Sequence, residues 1–188
     1  MAKKQASRIP NPLALNMYVL GYDSKKKLTN VNQAVKENLQ TYLGQYRMVT
    51  DAINIKNAYV INIGVQFEII TRPNFNKNEV LLRAIESVKT FFDIDRWQIN
   101  QPIVLTDLVY RLSLVDGVAA VPPPKENNPS SLPIIITNKY KSANGYSGNL
   151  YDIDQATKNG IIYPSLDPSI FELKFPGTDI EGRVVGDN

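Results

Sequence analysis

The chain has 188 residues, a net charge of +3 and a hydrophobic content of 43%, which is enough apolar material for a folded core. It contains neither Cys nor His, and this excludes disulfide frameworks, thiolate zinc sites, cysteine nucleophiles and histidine acid–base mechanisms. No stretch approaches the ~20 apolar residues of a membrane span, and no apolar run follows the basic N-terminus, so we expect neither a membrane helix nor a signal peptide.

The first predicted elements are a strand and an amphipathic helix. The segment LALNMYVLGYD predicts a strand from about Leu13 to Tyr22, which is apolar on both faces and is therefore expected at the centre of a sheet. The segment TNVNQAVKENLQTYLG predicts a helix with Thr29 or Asn30 as its N-cap and Gly44 just past its end. The basic run at residues 25–27 is typical of a solvated turn. The apolar stripe of this helix comprises Val31, Ala34, Val35, Leu39, Tyr42 and Leu43.

Two strands follow, and the second is the longest strand that the pattern predicts. Ile53 and Ile55 alternate with polar residues in a short strand, and the longer strand runs from about Tyr59 to Ile70. Its odd-numbered side chains are large and apolar. The even-numbered positions include Asn62, Gln66 and Glu68, which predicts that this face is in contact with water.

A helix, a short helix and a strand complete this part of the chain. The segment VLLRAIESVKTFFD predicts a helix capped by Asn76 or Asn78. A shorter helix spans about Thr106 to Val115, and the Asp-Gly pair that follows ends it. We expect the next strand, Val118 to Val121, to pair with the first strand. The buried stripe of the short helix comprises Leu105, Leu108, Val109, Leu112 and Val115.

The order of these elements predicts an α+β fold. A βαββαβ order is that of a ferredoxin-like sandwich with one antiparallel sheet. We assign residues 1–12 to a flexible N-terminal segment, 13–121 to the sandwich domain, 122–133 to a Pro/Ser/Asn-rich linker and 134–188 to a β-rich C-terminal arm. The arm has short apolar runs without a core of their own, so we expect it to complete itself on a partner.

No metal or cofactor site is predicted. The stretches FDIDRW and YDIDQA each carry paired Asp residues, but a calcium loop needs further oxygen ligands and a Gly at fixed spacing, which neither supplies. The glycines of SANGYSGN follow no clear strand and open no helix, so they do not form a phosphate cradle and are typical of a flexible loop.

Five side chains are candidates for a protein interface. Trp97, the only Trp, lies in a loop, where it could anchor a partner or cover the end of the sheet. Tyr110 and Arg111 lie off the buried stripe of their helix, where they are either interface anchors or simply solvated. Tyr140 and Tyr146 lie among lysines, as in binders of single-stranded nucleic acid. This cluster is small and the overall charge is low, so we do not expect a nucleic-acid partner.

Several long strings of this sequence resemble one known family. The strings that carry the resemblance are unusual and are distributed along the chain from about Pro12 onward. They are LNMYVLGYD, YRMVTD, YVINIGVQFEI, WQINQP and NGIIYPS. In these strings the chain resembles the C-terminal part of the large baseplate wedge protein of T-even-type contractile-tailed phages, which belongs to the baseplate J-like group. Proteins of that family are much longer than this chain, so the resemblance covers only part of them.

The resemblance implies a structural protein, not an enzyme, with no catalytic or cofactor-binding residues. The partners that it implies are further copies of the chain, as a dimer or a ring around the baseplate hub, and other wedge subunits. The implied location is the tail baseplate of the virion, assembled in the host cytoplasm. An alternative of a different class stays open, namely a ligand- or nucleic-acid-binding module on a ferredoxin-like fold, because that fold hosts many functions.

Overall fold

A computed structural model describes residues 14–46, 52–123 and 133–186. The fold is mixed α+β, as predicted, with five α-helices and twelve strands within these ranges. The chain divides into two compact units between Ala58 and Tyr59. None of the helices in the described ranges is long and apolar enough to cross a membrane. The predicted N-terminal segment 1–12 and most of the predicted linker lie outside the described residues.

The N-terminal unit is a small parallel βαβ unit with a short hairpin. Strands β1 and β4 pair in parallel, and β2 pairs with β3. The helix begins after Asn32, whose side chain accepts a hydrogen bond from the Val35 N–H at 2.9 Å, so the cap lies two or three residues beyond the predicted Thr29 or Asn30. The elements of this unit are β1 (Ala14–Val19), β2 (Gly21–Tyr22), β3 (Leu28–Thr29), α1 (Gln33–Gly44) and β4 (Ala52–Asn57).

The C-terminal unit contains the remaining elements. Two of its helices are long enough to pack against a sheet, and the second begins at the predicted cap Asn76, which accepts hydrogen bonds from Asn78 and Glu79. The elements are β5 (Tyr59–Thr71), α2 (Lys77–Phe91), β6 (Ile103–Val104), α3 (Leu105–Ser113), β7 (Val118–Ala120), β8 (Ile134–Asn138), α4 (Ile153–Ala156), β9 (Thr157–Lys158), β10 (Ile161–Ile162), β11 (Ser169–Glu172), α5 (Pro176–Asp179) and β12 (Ile180–Val184).

Strand β5 is the centre of this unit, because four other strands pair with it. The backbone groups of Tyr59 and Ile69 bond towards β11 and β12, whereas those of Asn62 and Arg72 bond towards β8 and β7. Alternate residues of a strand direct their backbone groups to opposite edges. Strands β11 and β12 therefore run parallel along one edge of β5, and β7 and β8 run antiparallel along the other.

The odd-numbered face of β5 forms the main hydrophobic core. All its side chains from Ile61 to Ile69 are buried, and only Tyr59 at the start is exposed. Helix α2 covers this face, since a Cβ built on Gly182 would lie 2.7 Å from Phe67 and 2.8 Å from Leu81 of α2. The inward residues of α2 are Val80, Ala84 and Val88.

The even-numbered face of β5 is not in contact with water, contrary to prediction. Asn62 and Glu68 are buried and Gln66 is half-buried. Chain from the C-terminal third covers this face with polar contacts, because Asn62 donates to Glu172 at 2.7 Å and accepts from the Ser147 N–H at 2.7 Å. Asn62 is therefore paired inside the protein, whereas Oε2 of the buried Glu68 has no hydrogen-bond partner among the described residues.

The predicted ferredoxin-like topology is not confirmed. The first strand is not central: it pairs directly with β4 in a two-stranded sheet, with no strand between them, and β5 belongs to another sheet. Strand β7 pairs with β5 instead of the first strand. The described parts of residues 134–188 are not an extended arm, because β8, β11 and β12 complete the β5 sheet of the same chain. Local patterns identified these strands but not their partners.

The central position of β5 leads to the first prediction. Ile63 is fully buried in the middle of the strand, so Ile63→Asp would bury an unpaired charge and should destabilise the protein by several kcal/mol. Leu166→Asp is the matched control, because Leu166 is fully exposed and should tolerate the same charge. Thermal denaturation of both variants measures the difference. An Ile63→Asp variant that melts with the control would contradict the assignment of β5.

Candidate docking site

Helices α2 and α3 pack side by side and leave a groove between their outer faces. Leu105, Leu108 and Leu112 of α3 are buried, which fixes the opposite side of that helix towards solvent. The groove has a volume of about 580 Å³. Its lining residues are Ser87, Phe91, Asp107, Tyr110, Arg111, Leu114 and Val115.

Two of the predicted interface residues, Tyr110 and Arg111, lie in this groove. Tyr110 and Leu114 are large side chains that are 64% and 65% exposed. The guanidinium carbon of Arg111 lies 5.5 Å from the centre of the Phe91 ring, a cation–π distance that holds the arginine across the groove. The groove thus combines aromatic, aliphatic and arginine side chains on two packed helices, which is the composition of protein-binding surfaces.

An ion-pair network lies beside the groove. Arg83 of α2 pairs with Glu79 one turn earlier, and it reaches Asp116 in the turn after α3 at 3.5 Å. All three side chains are exposed, so the network contributes little to stability. It joins α2 to the end of α3, and this joint restricts the relative position of the two helices that line the groove.

Trp97 is not a surface anchor. The residue is 91% buried, and its ring lies 5.7 Å from the Phe91 ring and 5.4 Å from the Phe92 ring. The Trp97 ring is therefore buried against the two phenylalanines at the end of α2, which does not fit the predicted role of an exposed anchor. It supports the groove indirectly, since Phe91 contacts Trp97 on one hand and Arg111 on the other.

Tyr140 and Tyr146 are not among the residues that line the groove. Tyr140 is exposed, whereas Tyr146 is half-buried and donates a hydrogen bond to Asp179 at 2.5 Å. The Tyr146 ring packs edge-on against Phe175, with 5.4 Å between the ring centres. Burial, and after it the hydrogen bond to the Asp179 carboxylate, together raise the pKa of Tyr146 to about 12. Tyr146 is therefore a structural side chain on the even-numbered face of β5.

The loop that carries Tyr146 is tied to β5, although its glycines suggested flexibility. The Ser147 hydroxyl and the Asn149 side-chain amide both donate to the Val60 carbonyl, at 2.7 and 2.8 Å. Gly145 and Gly148 adopt positive φ angles of 84° and 83°, where a side chain would be strained. The glycines serve the turns of a bonded loop.

The two paired-Asp stretches cap helical turns. Asp93 accepts from the Asp95 N–H at 3.2 Å, and Asp152 accepts from the Gln155 N–H at 3.0 Å at the start of α4. No group of three or more acidic residues suited to a metal ion occurs in the ranges that the structure describes. Their positions suit local capping, which any Asp at a helix start performs.

Comparison of the chain with protein-family models and with curated proteins gives no match.

Five of the residues that line the groove were not predicted as site residues, namely Ser87, Phe91, Asp107, Leu114 and Val115. Phe91 lies one turn after the buried Val88 of α2, but it is only half-buried and forms one wall. Leu114 and Ser87 were not singled out as candidates. Leu114 could have been predicted from the sequence, because it is an apolar residue that lies off the buried stripe of α3. The residues that α2 contributes depend on how the two helices pack, which the sequence pattern does not specify.

The Tyr146 hydrogen bond leads to the second prediction. Tyr146→Phe should destabilise the protein by about 1–3 kcal/mol at neutral pH, because buried Asp179 loses a donor. In the wild type the raised pKa of Tyr146 means that the folded state retains a proton that the unfolded state loses, so this contribution declines as pH rises from about 10 to about 12.

Urea denaturation at neutral pH and across that alkaline range measures both effects. The difference between wild type and Tyr146→Phe should shrink as pH rises. Tyr140→Phe is the matched control, since Tyr140 is exposed, and it should leave stability unchanged. A difference between wild type and Tyr146→Phe that is absent at neutral pH, or constant up to pH 12, would show that the bond does not contribute as described.

Proposed function

We propose that this chain is a structural subunit of a phage tail baseplate wedge, which self-associates and docks neighbouring wedge proteins. The baseplate assignment rests on the sequence resemblance. The docking role rests on the α2–α3 groove, and above all on one observation: Tyr110, Leu114 and Arg111 are presented outward on a helix whose other side is fully buried.

Large exposed side chains at fixed positions favour a protein partner over other ligands. Tyr and Arg lose little conformational freedom on binding when neighbouring groups already hold them, and both types dominate the binding energy of known interfaces. Arg111 is held by Phe91, and Tyr110 precedes it on the same helical turn. A wedge subunit needs this kind of pre-formed contact, because it joins several neighbours in a defined geometry.

The alternative, a ligand-binding module, has one observation in its favour. A volume of about 580 Å³ lies within the range of small-molecule sites, which is roughly 300–1,000 Å³. Such sites bury most of the ligand surface, however, and here two of the lining side chains are about two-thirds exposed. An open groove of this kind suits a protein surface better than a small molecule.

The third prediction tests the docking role with the double variant Tyr110→Ala, Arg111→Ala. Each anchor should contribute about 2 kcal/mol to association, so the double variant should weaken the self-association by roughly 1,000-fold. Both residues are exposed, so its melting temperature should stay close to that of the wild type. Sedimentation velocity and light scattering across a concentration series measure the assembly.

The matched control is Tyr140→Ala, Lys141→Ala, an exposed aromatic–basic pair that does not line the groove. The proposal predicts loss of assembly in the first variant alone. Equal assembly of the wild type and both variants would show that the groove is not the contact. A wild type that stays monomeric at every concentration and binds a small molecule in the groove would favour the alternative function.

A further inference from the structure

Strand β1 in the N-terminal unit has a backbone edge available for pairing. The Ala58 N–H donates to the Val19 carbonyl. This hydrogen bond shows that the backbone N–H and C=O groups of the odd-numbered residues of β1 point towards β4. The backbone groups of Asn16 and Tyr18 therefore point away from β4. Among the described residues β1 pairs with β4 alone.

The outer edge of β4 is partly occupied by its own helix. Because backbone groups alternate along a strand and the Ala58 N–H points towards β1, the carbonyl of the odd-numbered Ile53 points away from β1. That carbonyl accepts a hydrogen bond from the Gln40 side chain of α1 at 3.0 Å. The Asn57 side chain, at the end of β4, accepts from the Val31 N–H. Helix α1 thus occupies the β4 side of the pair, and β1 is the edge at which a further strand can add.

The apolar surface beside β1 is also incompletely covered. Leu15 and Ile53 are register partners on the same face, yet Leu15 is 61% exposed while Ile53 is 9% exposed. Helix α1 has no buried residue, and Val35 and Tyr42 of its predicted stripe are exposed. Parallel sheets normally have both faces covered, and a two-stranded sheet is only marginally stable alone. A strand added to β1 would cover Leu15.

The charge of this unit indicates the chemistry of that strand. Residues 1–58 contain nine Lys or Arg and three Asp or Glu, whereas residues 59–188 contain twelve and fifteen. The positive charge of the chain is therefore concentrated in its N-terminal part. In the turn at residues 25–27, the Asp23 side chain accepts hydrogen bonds from the backbone N–H groups of Lys25 and Lys27. The three lysine side chains of that turn are exposed or half-exposed.

We propose that the free edge of β1 accepts an extended acidic segment of another protein as an additional strand. Main-chain hydrogen bonds to Asn16 and Tyr18 would bind the segment, its apolar residues would cover Leu15 and Met17, and its carboxylates would meet the basic groups of residues 25–27. This deepens the proposed assembly role by naming the chemistry of one docking partner, and it concerns a different surface from the α2–α3 groove.

Two other occupants are disfavoured by the same observations. A second copy that pairs β1 with β1 would bring two strongly basic units together, which costs electrostatic energy. A nucleic acid would suit the lysines, but it cannot continue the hydrogen bonding of a strand edge or cover Leu15. An acidic polypeptide satisfies the edge, the apolar residues and the charge together.

The fourth prediction uses two synthetic eight-residue peptides as probes of the full-length chain. One alternates Val with Glu, and the other alternates Val with Lys; both carry a fluorescent label and neutral ends. Fluorescence anisotropy should show saturable binding of the Glu peptide at least roughly tenfold tighter than that of the Lys peptide. Binding should weaken with added salt, because exposed charges are screened.

Two variants locate the binding edge. Asn16→Pro removes an outward N–H, a change that edge strands tolerate, and it should weaken binding of the Glu peptide at least about tenfold. Lys25→Glu, Lys26→Glu, Lys27→Glu on the exposed turn should do the same without touching the edge. Its control is Lys77→Glu, Lys141→Glu, Lys158→Glu, which makes the same change in net charge on exposed sites of the other unit and should bind as the wild type does.

Each other outcome would overturn the inference. Equal affinity for both peptides, or a Glu peptide that both triple-lysine variants bind equally, removes the role of charge. Displacement of the peptide by oligo(dT) would assign the surface to nucleic acid, and self-association abolished by Asn16→Pro would assign it to a second copy. Absence of peptide binding by a wild type that still assembles through Tyr110 and Arg111 would reject this inference alone and leave the proposed function in place.

Discussion

The backbone pairing of β5 is the constraint on which the rest of the C-terminal unit depends. One strand of 13 residues provides hydrogen bonds on both edges to four other strands, and those strands come from widely separated parts of the chain. Its odd-numbered side chains form the core under α2, and Asn62 on its even-numbered face bonds to the loop before α4 and to β11. Because α3 packs on α2, the groove that carries Tyr110 and Arg111 is positioned by the same strand.

The two units differ in how much of their apolar surface and of their strand edges is covered within the described residues. In the C-terminal unit even Asn62, on the face expected to be wet, has partners for both side-chain atoms. Within the described residues of the N-terminal unit, a two-stranded parallel sheet and a helix without buried residues leave apolar surface and a backbone edge exposed. We infer that the C-terminal unit provides a rigid support and that the N-terminal unit is completed by a partner.

The sequence predicted local elements well and their partners poorly. The alternation from Tyr59 to Ile70 identified β5, and the 3/4 spacing of Leu105, Leu108 and Leu112 identified α3, because these periods reflect burial directly. The partners of β1 and β7 were wrong, since pairing depends on long-range contacts that a local pattern does not encode. The even face of β5 was read as wet because polar side chains paired inside the protein and polar side chains in water look alike in a sequence. The exposure of Tyr110 and Arg111 follows from their place off the stripe, whereas the exposure of Phe91 depends on helix packing.

Amide hydrogen exchange tests the central claim, which is that β5 is the stable centre and β1 an incomplete edge. The account predicts the slowest exchange in the molecule for the core residues of β5, such as Ile63 and Val65, and an alternation along β1. The amides of Asn16 and Tyr18 should exchange much faster than those of Met17 and Val19, which face β4. Equal protection of all four β1 amides in the free protein, or β5 amides no slower than those of β1, would contradict it.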